Sequence, residues 1–165
     1  MKIDERVFGR FEKDGKRYNL RREEGDTQRP RQYAEANGYT LIPQEQLVLD
    51  RARDRQKRDI AKARYNEEMG GFALPAEQGG MFVRTDARSR TLLVGAAMNA
   101  TADPAYTVPN WKTEEGTFIT LDAPTIGLLY AAIQAFLATC FAKEAGLSAA
   151  IDAAATVEEI QAISY

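Results

Sequence analysis

The chain has no histidine and a single cysteine, Cys140, among its 165 residues. Without histidine there is no imidazole to act as general base, to activate a serine or cysteine, or to complete the usual Cys/His zinc set. One cysteine excludes an intramolecular disulfide framework and suits a reducing cytoplasm. Excess charge of either sign is also missing: 22 Lys+Arg stand against 24 Asp+Glu, so the chain as a whole has no attraction for polyanions. The opening MKIDERVFGRFEKDGK lacks the apolar core of a signal peptide, an expectation against export by that route. What is present, 44% hydrophobic residues, is enough for one domain, or for one modest domain with an extension.

Three regions follow from the pattern: a small N-terminal β-rich element over 1–43, a charged connecting helix over 44–69 and an α+β domain over 70–165. In the first, Val7, Phe8 and Phe11 precede Asp14-Gly15, and Tyr18 and Leu20 follow, which predicts a hairpin with a tight turn. Pro30 opens a short helix that stops at Gly38, and Tyr39, Leu41 and Ile42 add a strand. An isolated hairpin is marginal in water, so this region needs support.

The second region contains RARDRQKRDIAKARYNEE, residues 51–68. Leu49, Ala52, Gln56, Ile60, Ala63 and Glu67 make a narrow, weakly apolar helical stripe. Asp54 precedes Lys57 and Arg58, Asp59 precedes Lys62, and Arg64 precedes Glu67 and Glu68, so opposite charges lie one turn apart. A solvated, self-paired helix is favoured over a phosphate-binding face, which needs unneutralised cations on one side.

In the third region Gly70-Gly71 ends that helix, and Phe72 to Leu74 with Met81 to Val83 form a hairpin around PAEQGG. Thr85 or Asp86 caps a helix through Leu92, Leu93, Ala96 and Ala97. Tyr106, Val108 and Trp111 pair with Phe118, Ile119 and Leu121 across Glu115-Gly116 as a further hairpin. Asp122 caps the next helix, with Pro124 in its first turn. That helix carries no charge from Ala123 to Ala142, long enough to raise the question of a membrane span. Ile126, Leu129, Ile133, Phe136, Cys140, Leu147, Ile151 and Ala154 keep a three-four spacing through it, which favours a protein-packed seam. Thr156 and Glu159 have capping-box spacing for a last short helix that turns Val157, Ile160 and Ile163 back onto the core. The resulting architecture is α+β: short antiparallel hairpins on a long central apolar helix, preceded by a charged helix and a small N-terminal hairpin.

Candidate functional residues are few. Cys140 lies among Phe136, Leu137 and Phe141 and reads as a small buried hydrophobe. Glu114 and Glu115 fall in a turn, and the glycines of GRFEKDGK and EMGGF lack the strand-loop-helix context of a phosphate cradle. Trp111 fits either a core lid or an interface anchor. The residue types predict no catalytic, cofactor or metal site. The candidate interface positions are Trp111, Ile126, Ile133, Leu147 and Ile151, with burial of the helix seam against its own hairpins as the alternative.

The order Arg64-Tyr65, Glu68, Gly70-Gly71-Phe72, Thr85-Asp86, Ser89, Leu92 to Ala96, Trp111-Lys112, Phe118, Leu121-Asp122, Phe141, Glu144, Leu147, Ile151-Asp152-Ala153 and Glu159-Ile160 resembles an uncharacterised domain family of tailed phages and prophages. That family is commonly encoded among tail and tail-fibre genes. The resemblance covers about the last two-thirds of the chain. Members often carry a histidine near the position held here by Phe136. The resemblance implies a non-enzymatic, tail-associated protein in the bacterial host cytoplasm or the virion tail. Its expected partner is a tail or tail-fibre protein or a further copy of itself, with no nucleic acid and no membrane. The alternatives are a nucleic-acid-binding phage regulator using the 51–64 basic run and, more distantly, a small phage membrane protein.

Overall fold

The computed structural model describes residues 7–21, 34 and 36–165. Two compact units divide the chain, Met1–Ala52 and Arg53–Tyr165. The division falls inside one helix, α1, which runs from Gln44–Gly70.

In the first unit β1 (Val7–Lys13) and β2 (Lys16–Arg21) form the expected hairpin. Its turn is made by Asp14 and Gly15, both at positive φ (52° and 69°), the handedness that matches strand twist. β3 (Thr40–Leu41) adds to the other edge of β1, giving the order β2-β1-β3. Phe11 is buried here, as are Ala34, Ile42 and Leu47, so β3 and the first turns of α1 supply the support that a lone hairpin lacks. Arg17 pairs with Asp50 at 2.7 Å on the same unit. The helix expected from Pro30 lies mostly outside the described residues.

In the second unit β4 (Phe72–Ala73) and β5 (Phe82–Val83) pair around a 3-10 turn at Ala76–Gln78. α2 (Ala87–Ala102) follows, then the hairpin β6 (Thr107–Lys112) and β7 (Phe118–Asp122), the long α3 (Ala123–Ala153) and the short α4 (Val157–Ala162). The caps are those that the sequence offers. Asp86 accepts from the Arg88 and Ser89 amides, Asp122 from Thr125, and Thr156 with Glu159 closes a reciprocal capping box. Of the two residues expected to cap α2, only Asp86 does so. Thr85 is fully buried and its hydroxyl accepts from the Gly71 amide at 2.9 Å, tying the end of α1 to the start of α2.

The core is built on α3. Ile126, Leu129, Ile133, Cys140 and Ile151 are buried along it, so the three-four seam is its inner face. Leu121, Leu74, Val83, Leu93 and Ala96 close on that seam from the hairpins and α2. Phe72 stacks on Phe136 with centroids 4.7 Å apart. The fold is α+β, with short antiparallel hairpins on a long apolar helix. α3 is nonetheless not enclosed: only 22% of its most apolar 18-residue stretch is buried, and Leu128, Tyr130 and Phe141 face outward.

The charged helix departs from its expected self-pairing. Arg64 pairs with Glu68 one turn on, as the spacing allows. From residue 53 onward several contacts reach across the second unit. Lys57 meets Asp152 at 2.6 Å, Arg64 meets Glu144 at 2.7 Å, and Arg53 and Gln56 donate to the carbonyls of Ala154 and Ile163. At the end of the stripe Glu67 is exposed and Glu68 buried, because Glu68 accepts from both Arg64 and Arg90. A buried carboxylate between two guanidiniums is tolerable because its charge is compensated and its lone pairs are occupied.

Candidate functional site: an apolar cleft beside Trp111

The third hairpin positions Trp111. A bulge lies between Val108 and Trp111 on β6, with Asn110 at φ 57°, and it turns the half-buried indole toward the core. Beside it opens a cleft of about 390 Å³, within the size range of pockets that take small ligands or side chains. Its floor is the buried apolar set Val83, Leu93, Leu129 and Ile133. Met81, Phe82, Val108 and Trp111 form the walls.

The rim is polar. Arg84 contacts Asp86 and Glu114, each at 3.3 Å, the second of these reaching from β5 to the β6–β7 turn. Ser89 donates its hydroxyl to Asp86 at 2.7 Å. That bond, the Ser89 amide and then Arg84 hold the Asp86 carboxyl at about 2, well below its ordinary value. Lys112 stands on the rim with no ion pair among the described residues. An apolar floor with a mixed polar rim suits binding: the floor takes an apolar group and the rim orients it.

The residues expected at an interface are dispersed. Trp111 is half-buried at the cleft. Ile133 belongs to its floor and is 3% exposed, while Ile126 and Ile151 are wholly buried in the unit's own core, and Leu147 is half-buried. The seam is thus occupied by the chain's own hairpins and helices. Cys140 is buried, and that burial, with Glu67 adding to it, pushes its thiol up. Glu114 holds Arg84, and Glu115 lies below the usual carboxylate range through its own backbone amide and Thr113. Among the described residues no three His, Cys, Asp or Glu side chains gather as a metal site. Arg84 and Lys112 are site residues that sequence reasoning did not assign to a site: Arg84 belongs to no motif, and Lys112 entered only beside Trp111 in the resemblance. The one available signal was their place beside apolar strand positions.

A second, smaller groove of about 290 Å³ lies between α2 and α3. Val94, Met98 and Tyr130 line it around the small residues Ala97, Ala123 and Gly127.

The family model for Domain of unknown function (DUF4376) matches residues 51–164. The chain belongs to that family. The match to DUF4376 starts thirteen residues before Arg64, where the resemblance read from the sequence began, and its description assigns no activity. No curated protein and no solved structure matches the chain. Within this DUF4376 domain, the residues that carried the resemblance are largely those that hold the fold. Arg64, Glu68 and Glu144 form the ion network, Gly71 and Thr85 the buried hydrogen bond, and Asp86, Asp122 and Glu159 the caps. Trp111 and Lys112 differ from these in standing at the cleft.

Proposed function

We propose that this protein is a non-enzymatic phage or prophage tail-associated protein, acting through protein–protein contacts in tail or tail-fibre assembly or as a minor structural component of the tail. The observation that carries a contact role is apolar surface left open on a folded unit. Met98 is 70% exposed and Phe118 65%, with Leu92, Val94 and Phe141 also outward. Val94 and Met98 share the α2–α3 groove with Tyr130, and apolar surface gathered in this way marks contact sites. The tail association rests on the family resemblance of the sequence. The test is co-expression with the neighbouring tail or tail-fibre gene followed by affinity purification. A complex surviving moderate salt is expected, and repeated failure to co-purify with any tail component sinks the tail assignment.

A second reading, a membrane protein, has one observation in its favour: α3 is long and apolar enough, by length and composition, to cross a bilayer. Against it, Ile126, Leu129 and Ile133 of that apolar stretch are buried against Leu74, Val83, Leu93 and Leu121 of the unit itself. Recovery only in detergent-extracted membranes would favour this second reading.

A further inference from the structure

The cleft beside Trp111 is bounded by two open strand edges. Along a strand, side chains alternate between faces, so a cavity on one face is lined by every second residue. Here the lining is consecutive: Met81 to Arg84 on one side and Asn110 to Glu114 on the other. Phe82 and Val83 of the first run and Asn110 to Lys112 of the second lie within β5 and β6, so the cleft is bordered by both strands and by the residues that flank them. Their hydrogen-bonded partners β4 and β7 contribute no lining residue and lie on the far side of each strand.

The backbone agrees. The Met81 carbonyl accepts from the Leu74 amide at 2.9 Å, so Met81 and Val83 direct their main-chain groups to β4. Phe82 and Arg84, one residue out of phase, direct theirs to the cleft. On the other wall the Thr113 amide donates to Thr117 at 2.8 Å, so Thr113 and Trp111 face β7 and Lys112 faces the cleft. β4-β5 and β6-β7 remain separate two-stranded sheets. An ion pair between two long side-chain tips, Arg84 and Glu114, reaches from the residue after β5 to the turn after β6. One added strand would separate β5 from β6 by roughly 10 Å, twice the ordinary interstrand spacing.

We propose that this cleft receives a short extended segment of a partner protein, pairing with the free edges of β5 and β6 and completing a five-stranded sheet in the order β4-β5-segment-β6-β7. Alternate side chains of the segment point at the floor of Leu93, Leu129 and Ile133, so they are apolar and of aliphatic size. The rim sets its charge. Glu114 and Asp86 are engaged with Arg84, which leaves Lys112, of the two cations on the rim, as the one with no ion pair among the described residues, and the segment carries an acidic residue at that end. The inference rests on the proposed contact role only in taking the partner to be a protein, and not on its being a tail protein.

Trp111 is the chain's one tryptophan and stands in the cleft wall, so its emission reports occupancy. The probe is an end-capped heptapeptide alternating valine and threonine, with aspartate at one terminus. It is compared with the same peptide N-methylated on alternate amides, and with indole, which emits like tryptophan and is followed by the amide resonances alone. The plain peptide is expected to shift Trp111 emission saturably and to move the backbone amide resonances of Phe82 and Lys112. N-methylation should weaken it about tenfold or more, and K112E should weaken it severalfold at low salt but little at high salt. Equal binding by the methylated peptide, or the same response to indole, would overturn the proposal in favour of a small apolar ligand. Self-association that excludes the peptide would overturn it in favour of a second copy, and no binding by any probe would overturn it outright. Peptide binding without co-purification of a tail component would leave the strand site standing and remove the tail assignment. Co-purification without peptide binding would do the reverse.

Discussion

The guanidinium of Arg64 donates through Nε to Glu144 at 2.7 Å, joining α1 to α3 across a gap of eighty residues. Its other arm meets Glu68, which also accepts from Arg90 of α2 at 2.6 Å. Arg64 further lies over the Phe141 ring at 4.6 Å, covering part of an otherwise outward aromatic. Burial works to lower the Arg64 value, but Glu144 and Glu68 outweigh it and hold it above the ordinary one. Arg64 and Glu68 of α1, with Glu144 of α3 and Arg90 of α2 as their partners, thus fasten three helices.

Removing that carboxylate leaves two partly buried cations without their common partner. Glu68→Ala is expected to cost about 3 kcal/mol, near the lower end for breaking a buried pair. Glu144→Ala, at a more open site, should cost about 1 kcal/mol. Urea unfolding midpoints measure both, and equal losses would contradict the central place given to Glu68.

Gly71 is held at φ 81°, and a Cβ there would lie 2.7 Å from both the Phe82 ring and the Val83 carbonyl oxygen. Gly71→Ala therefore meets both backbone strain and a clash with main chain, for a loss of about 2–4 kcal/mol. Gly70→Ala has open space around it and is expected to cost far less. A comparison of the two thermal midpoints tests the assignment.

Asp86 gives the acid limb of stability a defined contributor. Its folded value, about 2, lies below the ordinary 3.8, because Ser89 and then Arg84 favour the charged carboxylate. A depressed folded value stabilises the fold above the unfolded value, and that contribution is lost as pH falls through the folded one. Asp86→Asn keeps a good cap but cannot titrate. Its thermal midpoint should fall less steeply than that of the parent between about pH 4 and pH 2, and parallel curves would refute the linkage.

Cys140 is 2% exposed, and burial raises its thiol further above neutrality. A thiol reagent should label it only through opening of the unit, at a rate that rises steeply with sub-denaturing urea. Labelling of the native protein as fast as that of a free thiol would contradict the packed seam on α3.

Which parts were legible in the sequence follows from the range of the forces involved. The caps at Asp122 and Thr156, the Asp14-Gly15 turn and the inward seam from Ile126 to Ile151 are set by neighbours within about a turn or two, so their signal is local. Lys57 could not be read in that way. Spacing put Asp54 within reach, while the folded chain places Asp152 at 2.6 Å. Thr85 and Asp86 looked equivalent as caps until packing gave Thr85 a buried amide to satisfy.

The sequence by itself determined the elements, their ends and the inner face of the long helix, because periodicity, capping and turn chemistry act over a few residues. Tertiary structure alone decided which cations are neutralised across the unit. It also decided that α3 stays open on its outer faces and that residues of β5 and β6 come together around one cleft beside Trp111. Those outcomes depend on the meeting of segments far apart in the chain, a relationship that no local pattern encodes.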